Sequence, residues 1–164
     1  MPVVSNTSPL NYLVLIGAVQ VLPALHDHVV IPVAVSEELH DPAAPDAVRG
    51  WIEHPPDWLE IRRPNHLPDE RLGEFGRGER DAILLAEELH VALVIDEAKA
   101  YREARCRNIP LLRTLAVLDK AAEQGLINLA IAISRLRQTN FRVRPEILDE
   151  LLDHHAARKS TLRT

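Results

Sequence analysis

The 164-residue chain has one cysteine, one methionine, six glycines and two each of Trp, Tyr and Phe. A lone Cys106 can close no internal disulfide and supplies no cysteine-based zinc cluster, and no neighbouring base motif marks it as a thiol nucleophile. A reducing, cytoplasmic compartment is expected. No run approaches the ~18 apolar residues of a membrane span, and the N-terminus lacks a basic region followed by an apolar signal core, so no membrane partner is expected. The few aromatic residues, Tyr12, Trp51, Trp58, Phe75, Tyr101 and Phe141, are scattered along the sequence and suit core or edge positions better than a base-stacking platform. Gly73, Gly76 and Gly78 lack both a preceding strand and a Gly-Lys-Ser/Thr ending, which excludes a phosphate loop. His26-x-His28 and His154-His155 have no third ligand at a suitable spacing.

Basic residues are scarce in the first third. From Met1 to Glu60, Arg49 stands alone against eight acids, whereas Lys99 to Arg144 holds ten Lys or Arg against three acids. A net charge of −5 argues against a chain that coats nucleic acid non-specifically. The asymmetry fits either an acidic pocket beside a basic rim or a pair of ordinary solvated helix faces.

The length suits one domain that buries roughly two-thirds of its unfolded surface. Val3-Val4 opens a strand, with Ser8 expected to cap a helix that starts at Pro9. Val29-Val30-Ile31 is a second strand, followed by a helix from Pro32 in which Glu38 borders the core and Glu37 faces water. A helix over 43–53, a half-exposed strand over 58–61 and a loop over 62–77 come next. The helix from Glu79 to Leu89 places Glu79 on its apolar face and Asp81 beside that face, with Glu87 and Glu88 outward. Acids on an apolar face are either partners of the helix dipole or ligands.

The run Val91–Ile95 is apolar without alternation, as in a parallel strand covered on both faces, and stops at Asp96-Glu97. Open α/β sheets bind ligands at the carboxyl ends of their strands, which makes Asp96 a candidate by position. Its alternative role is to cap the helix beginning at Ala98. A basic helix over 99–107, a last strand at Ile109–Leu112 and helices from Thr114, Leu129 and Pro145 complete a strand–helix alternation that calls for a parallel sheet with helices on both faces.

Several segments together resemble the PIN-domain ribonucleases, and more narrowly the PIN-like toxins of toxin–antitoxin pairs. They are Asn6-Thr7-Ser8-Pro9-Leu10, Val35-x-Glu37-Glu38-Leu39, Gly78-Glu79-x-Asp81-Ala82-Ile83, Leu93-Val94-Ile95-Asp96-Glu97, and Thr114 before Leu115-x-Val117-Leu118. The resemblance covers about residues 3–152. It implies a three-layer α/β/α sandwich around a mostly parallel sheet of four or five strands, with one domain over 1–155 and a flexible basic tail over 156–164. It also implies a cytoplasmic endoribonuclease that uses Mg²⁺ or Mn²⁺, with Asn6, Glu38, Glu79, Asp81 and Asp96 as catalytic metal ligands. Thr7, Ser8 and Thr114 would position water or phosphate. The implied partners are an RNA substrate, a small antitoxin protein and a second copy of the chain. Carboxylates crowded within ~5 Å repel by roughly 1–4 kcal/mol per pair, so a cation must join them if all are to stay ionised. One departure matters: the family usually has aspartate where Asn6 stands, and an amide brings an oxygen donor without charge. The resemblance therefore admits a weakened or silent RNA- or protein-binding module as well. A phosphoacceptor role for Asp96 lacks the second aspartate two residues along and an acidic pair after the first strand.

Overall fold

Five short apolar segments build the centre of the protein: β1 (Val3–Ser5), β2 (Val29–Pro32), β3 (Leu59–Arg62), β4 (Ala92–Val94) and β5 (Leu111–Leu112). In a computed structural model, which describes residues 1–163, they form one sheet in the order β3-β2-β1-β4-β5 with every neighbouring pair parallel. Val3 pairs with both Val29 and Ala92, so β1 is the innermost strand.

Parallel strands need crossovers, and the apolar helices supply them. The helices are α1 (Thr7–Leu15), α2 (Val21–His26), α3 (Val33–Leu39), α4 (Asp46–Glu53), α5 (Arg77–Leu89), α6 (Ala98–Cys106), α7 (Thr114–Glu123), α8 (Leu129–Arg137) and α9 (Pro145–Thr161). The two-residue period of the strands divides the core. Val3, Val29, Ile31 and Val94 face a cluster that takes in Leu13, Leu22, Val48, Leu118 and Ile133, while Val4, Val30, Leu93 and Ile95 face one built on α5 and α6. Helices thus cover both faces, and the architecture is the α/β/α sandwich that the alternation of elements implied. Each fully buried Leu or Ile in these layers contributes roughly 1.5–3 kcal/mol.

Three local expectations are corrected. The first helix begins at Thr7, with Asn6 at its N-cap in extended conformation; Pro9 lies in the first turn, where its missing N–H costs nothing, and Ser8 caps no helix. The helix expected from Ala43 begins at Asp46, because Pro45 biases Ala44 away from helical geometry. Glu88 does not point to water: its carboxylate accepts the backbone N–H groups of Asn65 and His66 at 3.1 and 2.7 Å. Burial pushes its carboxyl up, yet those two donors carry it below its ordinary value. With Arg107, which reaches Asp69 at 2.7 Å and Glu103 at 2.9 Å, it pins the loop between β3 and α5. Through the basic tail, α9 runs on to Thr161. Ala156 and Ala157 are strong helix formers, Arg158 and Lys159 suit the negative end of the helix dipole, and Arg158 pairs with Asp119 of α7. Thr164, the end of that tail, lies outside the described residues.

His26, at the end of α2, is buried, and its Nε2 has no hydrogen-bond partner. Burial, reinforced by Lys120, pulls its pKa below the ordinary 6.5. The folded state therefore holds fewer protons than the unfolded state once the pH drops below that value, and stability present above it is lost on acidification. Between about pH 8 and about pH 5 the thermal midpoint of the protein should fall more steeply than that of His26→Leu. Parallel midpoint curves for the two proteins would remove His26 as the cause.

Candidate active site

The chain passes from β1 to β2 on one side of the sheet and reaches β4 on the other, so the crevice at their carboxyl ends lies between β1 and β4. The backbone N–H of Asn6 donates to the Val94 carbonyl at 3.0 Å, which sets the residue after β1 beside the end of β4. Asn6 is 2% exposed. Its Nδ2 donates to Glu97 Oε2 at 3.0 Å, and Ser8 Oγ donates to Glu97 Oε1 at 2.7 Å. An ionised carboxylate only accepts, so Glu97 fixes which end of the amide faces it. The other end, Asn6 Oδ1, is buried with no hydrogen-bond partner.

Asp96 is held from a different element. Its Oδ1 accepts the Thr114 backbone N–H at 2.9 Å and its Oδ2 accepts Thr114 Oγ1 at 2.6 Å, which ties the end of β4 to the first turn of α7. It does not cap α6, whose N-cap position is Glu97. Arg113 donates to the Asp96 carbonyl at 2.9 Å while its guanidinium stacks 4.2 Å from the Tyr101 ring centroid. From α3, Glu38 reaches inward to accept a hydrogen bond from Thr7 Oγ1. The space it occupies exists because residue 78, in the first turn of α5, has no Cβ: one built there would lie 2.8 Å from Glu38 Oε2.

The charges of these side chains act on one another. Burial pushes the Glu79 carboxyl up, and Glu97 and Glu38 push it further. Burial also raises Asp96, against the two Thr114 donors, with Glu97 adding to the rise. Asp96 and Glu97 in turn raise the Tyr12 hydroxyl beyond the effect of its burial. Repulsion thus links Glu38 to Glu79, Glu79 to Glu97 and Glu97 to Asp96, and Glu97 is the member of this run that hydrogen-bonds Asn6.

Asp81 takes no part. Its carboxylate binds Arg80 at 2.8 Å and lines a separate cleft with Arg63, His66 and Arg77. Two residues on a helix are about 200° apart, so Glu79 and Asp81 cannot both face the crevice. Thr7, Ser8 and Thr114 are all present, but each hydroxyl is engaged by a carboxylate rather than left free for water or phosphate. Glu97 is the acid that sequence reasoning passed over; the doubled acid at the strand end was its only signal. Arg113, Tyr12 and Arg142 carried no sequence signal, since distant segments bring them to the same cleft.

Among the described residues, no group of three or more His, Cys, Asp or Glu side chains is placed to hold a metal ion. The donors nonetheless fit a hard divalent cation: they are oxygens, largely anionic, with one buried amide oxygen left unsatisfied. A family model described as a PIN domain matches residues 2–157. The chain belongs to the PIN-domain family. No curated protein matches it. The matched span includes all five residues of the acidic crevice, and the PIN domain is a nuclease-like fold whose members generally use divalent metals. No described helix is long and apolar enough to cross a membrane.

Proposed function

We propose that this PIN domain is a Mg²⁺- or Mn²⁺-dependent endoribonuclease, the toxin half of a toxin–antitoxin pair. The observation that carries the reading is the buried, unpartnered Asn6 Oδ1 beside a run of carboxylates, of which Glu79 and Asp96 are held above their ordinary pKa by burial and by neighbouring acids. An unsatisfied polar atom and crowded like charges are both costly, and one cation relieves both. Asn6, Glu38, Glu79, Asp96 and Glu97 would hold it. When bound, such an ion polarises a phosphoryl oxygen and lowers the pKa of a bound water. The protein's own part is positional. Thr7 fixes Glu38, Ser8 and the Asn6 amide fix Glu97, and Thr114 fixes both oxygens of Asp96, so the donors are oriented before an ion arrives. The same reading carries RNA as substrate, a small antitoxin and a second copy as partners, and a reducing cytoplasm that suits the free, exposed Cys106.

One observation favours a second reading, a silent RNA- or protein-binding module: the amide of Asn6 hydrogen-bonds Glu97 where an aspartate would repel it. Titration with Mn²⁺ followed by RNA cleavage, with and without a chelator, separates the two. The nuclease reading expects metal-dependent cleavage and a rise in thermal midpoint. Asn6→Asp should bind the ion roughly 10–100-fold more tightly, since it restores a charged ligand. Absence of metal-dependent cleavage in both proteins would leave the silent module.

A further inference from the structure

Beside the acids lies a cleft of about 670 Å³ whose chemistry changes across its width. At one end lie Asp96 and Glu97. The far wall comes from the segment between α8 and α9, where Phe141 meets Tyr12 edge-to-face with ring centroids 4.9 Å apart. The Tyr12 hydroxyl donates to Asn140 Oδ1 at 3.0 Å, so the tyrosine ring is locked in place. Two arginines flank this aromatic pair. Arg113 is braced by the Asp96 carbonyl and the Tyr101 ring and makes no ion pair among the described residues, although its charge lies close enough to the Asp96 carboxylate to lower the pKa of that group. Arg142 is exposed, lies close enough to Tyr12 to lower its pKa, and makes no ion pair among the described residues. A second, smaller cleft, lined by Glu38 and Asp41, meets the first along Ser8 and Tyr12 and carries no basic residue.

We infer that the larger cleft is the subsite for a nucleotide of single-stranded RNA next to the scissile phosphate. Its base would pack on the Tyr12–Phe141 pair and its phosphate on Arg113 and Arg142. Only a strand whose bases are unstacked can bring a ring edge and an adjacent phosphate into one cleft, so duplex RNA is excluded. The smaller, acidic cleft repels phosphate, which places this contact on one side of the cut only. The inference deepens the nuclease reading and rests on it for the scissile phosphate, but the binding it describes can be read without any cleavage.

The test measures binding of a fluorescent single-stranded oligoribonucleotide and its duplex by anisotropy, in chelator, for the wild-type chain and for Arg142→Gln, Phe141→Leu and Tyr12→Phe. Single strands should bind better than duplex. Phe141→Leu, which keeps an apolar side chain against the core, should weaken the single strand roughly tenfold. Arg142→Gln should weaken it and make the slope of log affinity against log salt shallower by about 0.7, the value for one lost phosphate contact on a single strand. A merely structural role for Arg142 would leave that slope unchanged. Tyr12→Phe, which frees the ring from Asn140, should weaken binding less than Phe141→Leu. Wild-type affinity and slope in both Arg142→Gln and Phe141→Leu would overturn the subsite, as would equal binding of duplex or no RNA binding at all. An arginine-rich peptide that loses affinity in Phe141→Leu while RNA does not would assign the cleft to a protein partner and overturn it too. If the variants lose single-strand affinity but no protein cleaves RNA with metal, the subsite stands and the nuclease reading falls.

Discussion

Asp96→Asn should abolish RNA cleavage, by about a hundredfold or more, without harming the fold. The substitution keeps the shape of the junction: an asparagine Oδ1 can still accept the Thr114 N–H, and its Nδ2 can donate to Thr114 Oγ1 where the carboxylate accepted. What it removes is charge. Burial raises the Asp96 and Glu79 carboxyls above their ordinary values of 3.8 and 4.5, with Glu97 contributing to both. A folded state with raised carboxyl pKa values holds more protons than the unfolded chain over the window above those values. The stability these two groups contribute without metal is therefore greatest at the acid end of that window and is lost as pH rises through their folded values. Deleting one of the repelling charges should leave the metal-free midpoint at neutral pH equal to or above that of the wild type. The two proteins should then separate on adding Mn²⁺. At a hundred times its dissociation constant an ion that binds only the folded state adds about 2.7 kcal/mol, roughly 5–10 °C for a chain of this size. The wild type should show that rise and Asp96→Asn should not. A metal-free midpoint well below the wild type would mean that Asp96 is chiefly a structural partner of Thr114. An undiminished metal response would mean that the ion binds elsewhere.

How much of this was visible in the sequence depended on how local the physics was. The buried strand ending at Asp96 could be read from its uninterrupted apolar run, because both faces of a parallel strand are covered and its carboxyl end is where an α/β sheet opens. Helical spacing placed Glu79 on the inner face of α5, and the structure keeps it there. Asp81 lies about 200° round the same helix, and there its carboxylate accepts from Arg80. Glu88 looked like a solvated surface acid, since nothing local says that a loop more than twenty residues earlier will offer it two N–H groups. The aromatic pair was the least legible feature. Tyr12 and Phe141 come from opposite ends of the chain and meet only after α8 has folded against the sheet layer that carries α1. The alternation of elements fixes which strands neighbour one another, whereas contacts between distant loops depend on the whole packing.

Gly78→Ala should lose function while keeping or gaining stability, a combination that a structural role cannot produce. Alanine is the better helix former, by up to about 1 kcal/mol, and Gly78 has ordinary helical geometry in α5. Its added Cβ would meet the Glu38 carboxylate, 2.8 Å from Oε2 and 2.9 Å from Cδ, too close for any contact to persist. The atom in the way is the end of a flexible, exposed side chain, so the helix stays and the carboxylate turns aside. Glu38 then leaves Thr7 and the other acids. Mn²⁺ affinity and cleavage should both drop roughly 10–100-fold, the scale on which displaced ligand-shell groups act. Gly73→Ala and Gly76→Ala, where a Cβ meets nothing within 4 Å, should leave metal affinity unchanged and serve as controls. Glu38→Gln should produce a loss of similar size, and the double variant with Gly78→Ala should lose little more, because both substitutions remove the same carboxylate from the same place. Full additivity would show that Gly78→Ala acts through something other than Glu38. Wild-type metal affinity in Gly78→Ala would show that the crevice binds its ion without Glu38, and the ligand set would shrink to the residues that follow β1 and β4 together with Glu79.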